Sequence, residues 1–389
     1  MLSEYPAQSS ALEQLRKETA FFAAIGFSLL AACYAALRLG WGTQYAAMWL
    51  ILPALAVAYQ LTVLFHNLPT NVRQGETQLL PNLGWGNRLT VLRGFLAAGV
   101  LGFLLLPRPE GWLAWLPGVL YTLACAADFF DGYAARLTNH ATRLGEILDM
   151  SFDGMGVLVA SLLAVQYGQA PGWYVFVGLA RYLFLGGLWL RKRLNKPIYE
   201  LPPSLSRRIF AGLQMGFLAI LLWPLFSPPG THIAAALFGL PLLFGFGRDW
   251  LLVSGTLKQR WPRKPSSGVA LQSWALMTLR GLILALNLPV FIVEFNSISE
   301  FSLPRVTLSV LNILMVALIA LGVLPRVAAG FALGFLGFYQ MFSPLTPAQI
   351  VLAIAYTITL YAGSGALSLW TPEDYLYHHR AGERRLQGE

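Results

Sequence analysis

Charge is what this sequence has least of. Only 12% of its 389 residues are Asp, Glu, Lys or Arg, roughly half the density of an ordinary soluble domain. Cysteine is nearly missing as well: Cys33 and Cys125 both lie inside apolar segments, which argues against a disulfide and says nothing of redox compartment. The histidines His66, His140, His232, His378 and His379 show no metal-ligand spacing. Neither a short internal repeat nor a low-complexity tract is present. Basic residues are not interleaved with polar ones on a soluble face, so the net charge of +9 does not indicate nucleic acid as a partner.

What is abundant is apolar sequence. Residues of this kind make up 56% of the chain, and they gather into runs long enough to cross a hydrocarbon core of ~30 Å. Helices are predicted at roughly 20–39, 45–66, 89–106, 112–131, 147–167, 171–190, 209–226, 231–248, 274–294, 304–322, 326–342 and 347–367. The expected fold is therefore all-α: a polytopic integral membrane protein of about twelve transmembrane helices, bathed in membrane lipids. The polar N-terminus leads into a helix-length apolar run without a small-residue cleavage motif, which reads as an anchor and not a removed signal peptide. Trp112, Trp115, Trp173 and Trp250 lie near helix ends, as an interfacial belt requires.

Threading twelve helices from a cytoplasmic N-terminus sorts the basic residues. Arg73, Arg88, Arg136, Arg143, Arg191–Arg193, Arg207, Arg208, Lys258 and Arg326 are among those falling on the cytoplasmic side, against Arg38, Arg108 and Arg305 on the other. That asymmetry follows the positive-inside rule and suits a cytoplasmic (inner) membrane. Three blocks are expected: a helix pair over 1–68, six helices over 69–256, and four over 257–389. The Pro-rich, basic linker at 258–268 marks the last boundary.

The chemistry concentrates in 26 residues. They read Asp128-x2-Asp131-Gly132-x2-Ala135-Arg136-x8-Gly145-x3-Asp149-x3-Asp153. Eight set residues at set spacings arise by chance on the order of once in 10⁷ chains of this length. On helices, Asp128, Asp131 and Ala135 share one face, and Gly145, Asp149 and Asp153 share a face of the next. The polar stretch 137–144 is the turn between them, so antiparallel packing gathers all four carboxylates. Gathered near a membrane boundary they repel, at a cost of ~2.5–3.5 kcal/mol each at mid-bilayer. Cations, protonation or water must offset that. Oxygen-only ligands suit Mg²⁺, Mn²⁺ or Ca²⁺ and not zinc, and Mg²⁺ characteristically joins carboxylates to substrate phosphates.

The same 26 residues resemble, without a mismatch, the signature of the CDP-alcohol phosphatidyltransferase family, and the resemblance extends over about 82–256. It implies a six-helix core holding Mg²⁺ or Mn²⁺, in a two-metal arrangement, on Asp128, Asp131, Asp149 and Asp153. It further implies that Asp153 is the general base, and that a CDP-linked lipid donor and a small alcohol acceptor react to release CMP. Gly132, Ala135, Arg136 and Gly145 would line the nucleotide pocket. Against this, small residues also let membrane helices pack closely, and Arg136 also serves as a positive-inside anchor. Asn87, Thr90 and Arg93 resemble the Asn-x2-Thr-x2-Arg run that opens the family's core, although Asn87 equally suits a plain N-cap. Dimerisation is expected by resemblance.

Arg181, mid-helix in an apolar segment, is a functional-site candidate by its cost alone, either for an anionic acceptor or as an aspartate partner. The stretch Ser204-x2-Arg207-Arg208-x2-Ala211-x2-Gln214 loosely resembles the phosphatidylglycerophosphate-type branch. It matches at Arg208 and Gln214 and departs at Arg207, Phe210 and Ala211, which leaves the acceptor open. The last block, with Arg280, Leu324-Pro325-Arg326 and Gly363-Ser-Gly365-Ala-Leu367, resembles the DoxX family of four-helix membrane proteins over about 274–376. The expected activity is transfer of a phosphatidyl-type group from CDP-diacylglycerol to a small alcohol, such as a phosphorylated polyol. Its rivals are an intramembrane prenyltransferase, which normally needs two separated Asp clusters, and a non-enzymatic membrane scaffold or transporter.

Overall fold

The computed structural model of the protein describes residues 4–201, 204–257, 268–296, 303–340, 344–363 and 365–374. Among them are twelve α-helices: α1 Glu4–Trp41, α2 Thr43–Asn67, α3 Gly84–Leu101, α4 Leu116–Leu137, α5 Arg143–Gln166, α6 Val175–Arg193, α7 Leu205–Leu221, α8 Gly230–Val253, α9 Gly268–Asn296, α10 Leu303–Leu321, α11 Pro325–Tyr339 and α12 Pro347–Ala362. Each overlaps one of the twelve predicted segments.

Length and composition qualify six helical stretches to cross a membrane: Gln8–Trp41, Thr43–Thr70, Gly111–Leu137, Arg143–Gln166, Gly172–Arg193 and Gly230–Val253. Shorter apolar stretches lie at Ser273–Pro289, Ser309–Leu321 and Pro347–Ala362. The chain is an integral membrane protein. Large apolar side chains such as Leu39, Ile51, Phe129, Leu183 and Phe244 stand exposed along these helices, where lipid replaces a protein neighbour.

Two compact units are present. The first comprises residues up to Leu190 together with Leu213–Pro224; the second comprises Arg191–Gly212 and the chain from Leu225 onward to the start of the tail. In the first unit, α3 is the central element. Its buried residues include Asn87, Thr90, Arg93, Phe95 and Val100, so both its polar and its apolar faces are covered. Small residues set how closely its neighbours approach. A Cβ on Gly86 would lie 2.7 Å from the Cβ of Ala135 and 3.0 Å from the Asp131 carbonyl oxygen, so α3 and α4 cross almost backbone to backbone.

The N-terminal helix pair is packed into this unit. Gln60 on α2 donates to the Gly94 carbonyl at 3.0 Å. Glu18 on α1 accepts from the Leu83 amide at 2.9 Å and from Arg88 Nε at 2.7 Å. A carboxylate at the opening of α3 satisfies a terminal N–H and complements the helix dipole.

In the second unit Arg326, at the start of α11, is buried. It donates to Asp374 Oδ1 and to the Leu360 and Tyr361 carbonyls, each at 2.8 Å. Asn287 donates to the Tyr356 hydroxyl at 2.9 Å. These bonds satisfy polar groups that would be costly unpaired in an apolar bundle. Thr346 opens α12 with a full capping box to Gln349.

Candidate active site

Three helices of the first unit supply the candidate residues. The α3 helix carries Asn87, Thr90 and Arg93; α4 carries Asp128, Asp131, Gly132, Ala135 and Arg136; α5 carries Gly145, Asp149 and Asp153. Between α4 and α5 the chain turns through Thr138–Thr142. Thr142 is extended and caps α5, its hydroxyl accepting from the Gly145 amide at 3.2 Å. That tight turn makes α4 and α5 sequential neighbours and brings their carboxylates to one place.

One oxygen from each of Asp128, Asp131 and Asp149 lies within 4.8 Å of the others. Asp131 is nearly buried, while the side chains of Asp128 and Asp149 are 31% and 51% exposed. Asp153 sits one turn beyond Asp149 on α5; its side chain lies outside the described residues. The cluster is not left as bare negative charge. Arg93, buried on α3, contacts Asp128 Oδ1, donates from Nη2 to Asp149 Oδ1 at 2.9 Å, and holds Nε 4.0 Å from Asp131 Oδ2. Thr90 donates its hydroxyl to the same Asp131 oxygen at 3.0 Å. Three hard carboxylate donors at this separation fit a divalent ion of the Mg²⁺ or Mn²⁺ class.

Beside the carboxylates opens a cavity of about 180 Å³. Its wall includes Asn87, Thr90, Asp131, Gly132, Ala135, Arg136, Gly145 and Asp149, together with Gln74, Gly86, His140, Ala141, Thr142 and Glu146. Of the expected nucleotide-pocket residues, only Arg93 is not among the lining residues. The small residues have distinct jobs. Ala135 faces Gly86 at the helix crossing, a Cβ on Gly145 would sit 2.6 Å from Asn87 Oδ1, and Arg136 folds back across Gly132. Asn87 is no free N-cap: it is buried in the fourth residue of α3 and donates to Thr142 Oγ1 at 3.1 Å.

The second group of wall residues was not singled out from sequence. Gln74 belongs to the segment between α2 and α3, which forms an antiparallel bridge Val72–Leu79 and another, Arg73–Thr142, onto the α4–α5 turn. Arg73 Nε donates to the Asn139 carbonyl at 2.9 Å. Gln74 then reaches across to Glu146 on α5 and donates to its carboxylate. Only the polarity of 69–83 between two apolar runs hinted at this. His140, whose lack of ligand spacing removed it from the sequence reading, contacts the Asn82 carbonyl through Nε2 at 3.1 Å. Burial holds its pKa below the ordinary value, and the Arg73 and Arg88 charges act in the same direction.

The acceptor candidates are less gathered. Arg181 on α6 donates to the Met150 carbonyl on α5 at 3.1 Å, beside Gly154. Gln214 on α7 is buried and donates to the Tyr174 hydroxyl. Arg208 is exposed on the part of α7 that belongs to the second unit.

Comparison with known proteins agrees with the motif. Residues 83–246 match the family model described as CDP-alcohol phosphatidyltransferase. A CDP-diacylglycerol–glycerol-3-phosphate 3-phosphatidyltransferase of Cereibacter sphaeroides is 38% identical over 106 residues, 26% of this chain and 47% of that protein. The Bacillus subtilis protein of the same name is 38% identical over 72 residues, 18% of this chain and 37% of its own length. A Mycobacterium bovis protein provisionally named cardiolipin synthase is 28% identical over 164 residues, 41% of this chain and 74% of its own. The chain thus spans about half or less of the first two relatives. No solved structure matches it.

Proposed function

We infer, from the match of residues 83–246 to the CDP-alcohol phosphatidyltransferase family, that this membrane protein transfers a phosphatidyl-type group from a CDP-linked lipid to a small alcohol and releases CMP. The observation that carries the reading is the convergence of Asp128, Asp131 and Asp149 from two helices, one oxygen each within 4.8 Å, beside a cavity walled by small and polar residues. The positive-inside pattern of the loops supports an active site on the cytoplasmic face of the inner membrane.

The residues divide the work as follows. Asp128, Asp131 and Asp149, with Asp153, hold the divalent ion. Bound there, that ion supplies neutralisation of the charge on the diphosphate and on the departing CMP. Gly132, Ala135 and Gly145 keep the wall low enough for the nucleotide, and Asn87, Thr90 and Arg136 provide its polar contacts. Asp153 takes the proton from the acceptor hydroxyl. The freed oxygen bonds to the phosphorus that carries the lipid, the bond from that phosphorus to the bridging oxygen breaks, and CMP leaves with that oxygen. Little further covalent chemistry is needed, so positioning and charge dominate.

For the acceptor, the relatives' names include glycerol 3-phosphate, and an arginine beside α5 suits a phosphorylated alcohol. Arg181 is the strongest candidate to bind that phosphate.

The test is direct. Purified protein with Mn²⁺, CDP-diacylglycerol and a panel of alcohols is expected to release CMP with glycerol 3-phosphate among the best acceptors, and Asp149→Asn and Asp153→Asn to abolish it. Wild type that releases no CMP with any acceptor sinks the reading.

A further inference from the structure

A guanidinium stands among the carboxylates, and the transfer chemistry alone does not account for it. Arg93 rises from α3, buried to 5% exposure, and touches Asp128, Asp131 and Asp149 together. A guanidinium carries its charge at any working pH. Arg93 therefore places one positive charge among three carboxylates that are offered to a divalent ion.

An ion of this class binds oxygen at ~2.1 Å and needs the lone pairs directed at it. The N–H groups of Arg93 point at Asp128 Oδ1 and Asp149 Oδ1, two of the three residues offered to the metal. A guanidinium also pairs well with phosphate oxygens. Its position is secured from behind: Gln60 grips the next residue's carbonyl, and Thr90, one turn earlier, grips Asp131.

We propose that Arg93 is a resident counter-cation that competes with the divalent ion for Asp128 and Asp149, so that metal and the donor's diphosphate bind cooperatively, the diphosphate drawing the guanidinium off the carboxylates. Arg93 is on this account a positioning residue that sets the order of assembly. The proposal rests on the reading of the site as one for a CDP-linked donor and extends it to how the site loads.

Coupling between two ligands is reciprocal and is measured as a change in affinity. The experiment follows Mn²⁺ binding to the detergent-solubilised full-length protein, by electron paramagnetic resonance of the free ion, with and without CDP. In wild type, CDP is expected to tighten Mn²⁺ about tenfold or more. In Arg93→Gln, Mn²⁺ is expected to bind about tenfold more tightly without CDP, the effect of CDP to shrink toward none, and turnover to fall.

Arg93→Lys keeps the charge but loses the planar fork that reaches three carboxylates, so its Mn²⁺ affinity should fall between the two. It decides the matter should Arg93→Gln not fold. Equal or weaker Mn²⁺ binding in the folded variants, or an unchanged effect of CDP, overturns the proposal, as does wild type that binds no Mn²⁺. Wild type that shows the coupling but turns over no CDP-lipid overturns the assigned reaction and leaves the role of Arg93 standing.

Discussion

Asn87 on α3 and Thr142 at the head of α5 are joined by a hydrogen bond of 3.1 Å from the amide of one to the hydroxyl of the other. That hydroxyl also accepts the Gly145 amide, so one oxygen both caps the helix bearing Asp149 and fastens it to the helix bearing Arg93. Removing it in Thr142→Ala should cost about 1 kcal/mol from the cap, with a further loss because the Asn87 amide keeps only Asn71 Oδ1 as an acceptor. Thermal unfolding should show the variant melting earlier, and Thr142→Ser should recover most of the difference. Equal melting of Thr142→Ala and wild type would show that the cap is not stabilising.

Gly86 tolerates no side chain. A Cβ there would stand 2.7 Å from the Ala135 Cβ and 3.0 Å from the Asp131 carbonyl, and neither can swing aside. Overpacking of this kind costs roughly 1–3 kcal/mol. Gly86→Ala should also reduce CMP release, because the helices part where Asp131 is held. Full activity with unchanged melting temperature would mean that the crossing is looser than its geometry.

Glu18 ties the N-terminal helix pair to the site. It accepts from Arg88 and from the Leu83 amide at the start of α3, and hydrogen bonds to a charged group contribute roughly 1.5–3 kcal/mol. Glu18→Gln should therefore destabilise the protein measurably in denaturant or heat, with the acceptor KM unmoved. An unshifted unfolding curve would exclude α1 as a support for α3.

Gln74 makes a narrower prediction. It comes from a segment before the matched family region, lies on the cavity wall, and is exposed. Gln74→Ala should raise the KM for the CDP-lipid a few-fold, the loss of about one hydrogen bond, while leaving thermal stability within error. A changed kcat at unchanged KM would place the nucleotide elsewhere.

His140 supplies the pH dependence. Its folded pKa is depressed, first by burial and then by Arg73 and Arg88, with the Asn82 carbonyl and Glu18 acting against them. The unfolded chain, with a value near ~6.5, therefore binds the proton more readily than the folded one. The stabilisation from keeping His140 neutral is complete above ~6.5 and is lost as pH falls through the folded value. Melting temperature should drop between pH 7 and 5 more steeply in wild type than in His140→Gln. Parallel profiles would refute the role of this side chain.

Some of this was readable before any coordinates. Asp128, Asp131 and Asp149 follow helical spacing, and a short polar turn between apolar runs dictates antiparallel neighbours; those three were legible. Part of the pocket wall was legible in two ways: Gly132, Ala135 and Gly145 share a face with an aspartate, and Asn87, Thr90 and Arg136 stand in runs that resemble the family's. Gln74 and Glu146 were not, because their meeting depends on a segment docking across 72 positions of chain, and no periodicity encodes that. Arg93 was expected near the nucleotide; its place among the carboxylates needed the rotation of α3 about its own axis.

Composition and patterning alone determined that this is a helical membrane protein with a carboxylate cluster made by two successive segments, since apolar run length and the 3.6-residue repeat are local properties of the chain. Tertiary structure decided the rest: that α3 packs against both the carboxylate helices and the N-terminal pair, that Arg93 sits among the aspartates, and that a segment outside the matched family region contributes Gln74 to the cavity wall. Those outcomes arise from which helix faces can approach one another. The decisive approaches, Gly86 to Ala135 and Asn87 to Thr142, join residues far apart in the chain.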